Sequence, residues 1–109
     1  MHAWQALQAL VDLRLHAEPS AHSPAQTTEL VRRLTAEHTS LPADSGSRWH
    51  ASFRHLASYG GGYYTYLWAR SLSRRVWRRA FQHDPFCAHA GERWCQSVLR
   101  HGGAKDPRR

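Results

Sequence analysis

The chain has 109 residues, 41% of them hydrophobic, which suits one small domain or part of a larger one. Fifteen Lys and Arg against eight Asp and Glu give a formal charge of +7, a balance that attracts acidic partners. No run approaches the roughly 20 apolar residues that span a bilayer, residues 1–15 lack the layout of a secretory signal, and two cysteines make no disulfide framework, which fits a reducing compartment.

Trp4, Leu7, Leu10, Val11 and Leu15 recur at helical spacing and predict a first helix over residues 3–15. It holds one acid, Asp12, and one arginine, Arg14. Amphipathic and poor in acids, it is faintly like a mitochondrial transit peptide, but Arg14 is its only arginine. Residues 18–22 break the helix. Ser23 then predicts an N-cap, Pro24 a first-turn residue and Gln26 the far half of a capping box. Leu30, Val31 and Leu34 give that second helix its apolar side, and its end is expected near His38. Pro42, Asp44, Ser45 and Gly46 mark a loop over residues 41–47.

Residues 48–56 read as a helix with Trp49, Phe53 and Leu56 on one face. Gly60, Gly61 and Gly62 form a turn, followed by a helix from about Gly62 to Gln82. Tyr64, Trp68, Leu72, Val76 and Ala80 fall in one row of that helix, expected to be buried. Tyr63 and Tyr66 share the roughly opposite side, which Arg70 and Arg74 continue. The five arginines 70, 74, 75, 78 and 79 read as a solvated face rather than a nucleic-acid stripe. Asp84 is expected to cap a last helix that carries both cysteines and ends before Gly102. Eight residues apart on a helix, Cys87 and Cys95 are about 12 Å apart along the axis, too far for a disulfide. Residues 105–109 are expected to be disordered. No strand signature occurs, so the predicted class is all-α.

The glycine turn carries the functional signal. Three glycines let a backbone approach a ligand closely, and tyrosine hydroxyls beside such a turn can donate to a substrate oxygen. His55-Leu56, Tyr59-Gly60 and the run from Tyr63 through Trp68 resemble the C-terminal part of the thimet oligopeptidase family of zinc metallopeptidases. The resemblance is closest to its mitochondrial intermediate peptidase branch. There, Gln82-His83-Asp84-Pro85-Phe86, Ala90-Gly91-Glu92-Arg93 and His101-Gly102-Gly103 follow in the same order and spacing. The match covers at least residues 49–107 and extends weakly back to Ala6. It departs at Gly60-Gly61-Gly62, where relatives usually place an alanine and a larger residue among the glycines, and at Trp94-Cys95.

The resemblance implies an all-α fragment of a larger helical metallopeptidase catalytic domain, occupying residues 1–107, with 108–109 a tail. It implies that Tyr63 and Tyr66 hydrogen-bond the substrate and its oxyanion. His55 becomes a transition-state contact, and Tyr59, Gly60, Gly61 and Gly62 bind substrate. The family binds zinc through a His-Glu-x-x-His helix and a downstream glutamate. That motif does not occur in this sequence, so no residue here is expected to hold zinc and the chain alone is expected to be inactive. His83, Cys87, His89 and Cys95 have the right atoms for zinc. On a helix, however, Cys87 and His89 point about 200° apart, and no Cys-x-x-Cys is present.

The expected partners are a peptide or presequence substrate and the missing N-terminal part of the catalytic domain. A membrane is not among them, and nucleic acid is disfavoured. The resemblance implies the mitochondrial matrix, with the cytoplasm as the alternative. The competing function is a non-enzymatic basic helical module that binds RNA or protein, resting on charge and exposed aromatics.

Overall fold

The computed structural model describes residues 2–17, 23–40 and 46–106, and the regular structure among them is helical throughout. The expected break at 18–22, most of the loop at 41–47 and residues 107–109 lie outside the described residues. The chain divides into two compact units, one ending at Ala69 and the other beginning at Arg70.

The first unit is built on α1 (His2–Ala17) and α2 (Pro24–His38). The α2 start is the capping box read from Ser23 and Gln26. Gln26 N donates to Ser23 Oγ at 3.3 Å, and Ser23 N donates to Gln26 Oε1 at 2.8 Å. Two otherwise orphaned amides are thereby satisfied. Leu7 and Val11 of α1 meet Val31 and Leu34 of α2 in a buried cluster, with Leu10, Leu15, Leu30 and Trp49 packed against it. These are the periodic apolar positions of both helices. Trp4 packs on Trp49, ring centroids 4.9 Å apart. On the outer face of α2, Arg32 reaches Glu29 at 2.6 Å. That hydrogen bond holds the Glu29 carboxyl below its usual range, although a pair so exposed contributes little to stability.

Residues 48–56 do not form the single helix expected. A 3-10 turn at Trp49–Ser52 stops at Phe53, and a one-turn α3 follows at His55–Ser58. The interruption turns His55 toward the aromatic residues downstream. The glycine turn then leads into α4 (Thr65–Val76), which starts three residues later than Gly62 and passes into a π turn at Trp77–Phe81.

The expected burial of the Tyr64 row is not observed. Tyr64, Trp68 and Leu72 are exposed, and α4 has no buried residue. Helical periodicity reports that a face is apolar, while burial needs a second element to cover it. Tyr64 and Trp68 instead stack on each other, centroids 6.3 Å apart.

The second unit contains α5 (Ala88–Ser97) and a 3-10 turn at Leu99–His101. Asp84 does not cap α5. Its carboxylate accepts from Phe86 N at 3.1 Å, making a side-chain turn through Pro85. Cys87 takes the N-cap position, so only Cys95 lies within the helix, and both thiols are free. Of the expected tail, Lys105 and Asp106 are described, and Lys105 Nζ lies 3.0 Å from His101 Nε2. The side chains of Arg74, Arg75, Arg78 and Arg79 are exposed, as a solvated face requires. Among the described residues, no helix is long and apolar enough to cross a membrane.

Candidate functional site

The glycine turn closes with Gly62 N donating to Tyr59 O at 3.0 Å. Gly61 sits at the third turn position with φ 76°, where a side chain would be strained. Gly60 is closely approached: a methyl group built there would overlap the imidazole of His16, which would have to move aside. A Cβ at Gly62 would crowd the backbone oxygen of Tyr59 at 3.1 Å.

Around this turn the structure gathers His55, Tyr59, Tyr63 and Tyr66. The His55 ring lies 5.1 Å from Tyr59, 4.8 Å from Tyr63 and 5.9 Å from Tyr66, centroid to centroid. Tyr63 and Tyr66 are 5.2 Å apart. Phe53 closes the group, stacked on His55 at 5.9 Å and edge-on to Tyr63 at 5.0 Å. His55 Nε2 is buried within this cage and has no hydrogen-bond partner. An unpaired buried nitrogen is costly unless something occupies it. All seven residues named from the sequence therefore lie in one local neighbourhood.

The two tyrosines differ in what their hydroxyls do. Tyr63 is half-buried, and its hydroxyl donates to Gln8 Oε1 at 2.9 Å. Tyr66 is 54% exposed, which leaves its ring open to an incoming molecule. Tyr59 is more exposed still.

Sequence reasoning missed the support beneath the turn. Asp12 is fully buried. Its Oδ1 accepts from Gly61 N at 3.0 Å and its Oδ2 from Tyr63 N at 2.8 Å. His16 Nδ1 lies 3.1 Å from Oδ1 and 2.8 Å from the Asp12 carbonyl oxygen. Gln8, Asp12 and His16 form one i, i+4 row on α1, so a single polar stripe serves the whole turn. The available signal was the lone acid of the helix, next to Val11 and in line with Gln8 and His16. A carboxylate there must be paired.

A second buried nitrogen without a partner, His50 Nδ1, lies in the 3-10 turn. Burial, with a smaller contribution from the Arg48 charge, pushes the His50 imidazole below its usual pKa. No group of three or more His, Cys, Asp or Glu among the described residues could hold a metal ion. The residues of this site do not fit a zinc ion, and their chemistry is that of hydrogen-bond donors and aromatic surfaces.

The model of peptidase family M3 matches residues 2–109, the weakly matching N-terminal stretch included. The chain is similar to proteins called mitochondrial intermediate peptidase in several organisms. Identity is 38% to that of Malassezia globosa, 35% to that of Arabidopsis thaliana and 33% to that of Homo sapiens, each over 94% of this chain. The chain spans 13–14% of the length of these curated relatives. No solved structure matches it significantly.

Proposed function

Because the chain belongs to peptidase family M3, we propose that it is the C-terminal portion of a zinc metalloendopeptidase that hydrolyses peptides or mitochondrial precursor N-termini. Residues 1–107 supply the substrate side of the catalytic domain. The zinc ligands belong to the rest of the enzyme. The relatives' name supports a mitochondrial setting, and the matrix is the compartment proposed.

The observation that carries this reading is the convergence of His55, Tyr63 and Tyr66 beside a glycine turn, with His55 Nε2 unpaired. In the proposed role, a substrate backbone lies along Gly60, Gly61 and Gly62. Tyr66 donates its hydroxyl proton to the carbonyl oxygen as it becomes an oxyanion. One such donor contributes about 3 kcal/mol to the transition state. His55 lies beside the same centre, and its buried Nε2 reaches the substrate only once the surrounding rings part. Tyr63 adds a second hydroxyl only after it releases Gln8, so in the resting arrangement it orients the cage.

The test is a graft. Residues 2–109 replace the matching segment of the Malassezia globosa relative, and cleavage of a presequence peptide is measured with and without a chelator. Chelator-sensitive cleavage that Tyr66→Phe suppresses is the expected result. A soluble, zinc-loaded graft with no cleavage would count against the reading.

A further inference from the structure

We propose that Asp12 is a positioning residue for the substrate-binding turn, acting through the backbone of Gly61 and Tyr63. The proposal rests on the peptidase reading for the use of the turn, and on the geometry alone for the latch itself.

Asp12 lies 49 residues before Gly61 and 51 before Tyr63, yet its two carboxylate oxygens divide their amides between them. Two N–H groups two residues apart, converging on one anion, form a nest of the type that binds phosphates and carboxylates. Here the anion is supplied by the chain itself, from a helix that packs one face into the main core. The same α1 row fixes the turn at two further points. His16, held by Asp12, fills the space against Gly60, and Gln8 holds the Tyr63 hydroxyl. Three successive turns of α1 thus contact three parts of one loop. Asp12 has no access to solvent, so it cannot touch a substrate. Its effect must pass through the loop conformation.

The consequence concerns the direction of Tyr66. With the Tyr63 amide pinned at 2.8 Å, the first turn of α4 starts from a set point, and Tyr66 N bonds to Tyr63 O at 3.3 Å. Catalytic donors lose effect when displaced by about 1 Å, so the latch governs turnover more than affinity.

Asp12→Asn keeps the shape and one acceptor oxygen, but it places an amide donor against a backbone donor. Amide hydrogen exchange by NMR on the 109-residue chain reads the latch without any peptidase. Exchange at Gly61 and Tyr63 should quicken on the order of 10- to 100-fold in Asp12→Asn, while Val31 and Leu34 amides keep their rates. Unprotected Gly61 and Tyr63 amides in the unsubstituted chain, or a uniform rise at all four positions, would overturn the latch. In the grafted peptidase, Asp12→Asn should lower kcat about 10-fold or more with KM within about twofold. Unchanged kcat alongside faster exchange would overturn the positioning role and leave the peptidase reading standing. An inactive unsubstituted graft would overturn the peptidase reading, and with it the use of the turn, while the exchange rates still decide whether the latch exists.

Discussion

Tyr63 and Tyr66 are three residues apart and chemically identical, and their hydroxyls are differently committed. The Tyr63 proton goes to Gln8, whereas the Tyr66 ring is open. In the grafted enzyme, Tyr66→Phe should therefore lower kcat on the order of 100-fold with little change in KM. Tyr63→Phe should cost less in kcat, and Tyr64→Phe should change little because its ring stacks on Trp68 without using the hydroxyl. Steady-state kinetics of the three variants decide the order; a silent Tyr66→Phe with an impaired Tyr64→Phe would remove the assigned roles. Gly60 gives a second prediction. A methyl there must displace the His16 ring, which is itself tied to Asp12. Gly60→Ala should destabilise the chain by about 1–3 kcal/mol in urea, and much less in a His16→Ala background. Equal losses in both backgrounds would mean that the ring is not the obstacle.

Elements were legible where one period and one cap agreed. In α2, Ser23, Pro24, Gln26 and the Leu30–Val31–Leu34 side all pointed to the same helix, and it ends at His38 as expected. Ser23→Ala should cost about 1 kcal/mol, seen as a lower urea midpoint. The segment at 48–56 was read as one helix because Trp49, Phe53 and Leu56 fit the period. The break at Phe53 depends on its ring seating between His55 and Tyr63, a contact between distant turns that no local pattern contains. The site was legible in its loop residues and not in Gln8, Asp12 and His16, since that support is long-range. The 3-10 turn also carries a pH dependence. The His50 imidazole is held below its usual pKa, so below about pH 6.5 the unfolded chain binds more protons than the folded one. Stability should be highest above that value and fall as pH drops toward the lowered folded pKa. His50→Gln should flatten this slope in urea melts between pH 7 and 5, and an unaltered slope would assign it to other groups.

At the scale of the whole molecule, a buried cluster forms around α1 and α2, while Trp68, Trp77, Phe86 and Leu99 stay open to solvent. The isolated chain should show helical far-UV circular dichroism and bind the dye ANS at these open side chains, while the cluster around α1 and α2 keeps a cooperative urea melt. A sharp cooperative melt with no dye binding would show a self-sufficient domain. Elemental analysis of the purified chain should find no stoichiometric tight zinc, in keeping with a sequence that lacks His-Glu-x-x-His.

The bond between Asp12 and Tyr63 also dictates an order of assembly. Closing about 50 residues costs chain entropy that local helix formation does not. The α1–α2 hairpin can form early in synthesis, and the glycine loop emerges from the ribosome much later. The glycine loop then has a finished template to dock on. A polypeptide deprived of its first seventeen residues would still make α4, but the loop before it would have nothing to copy.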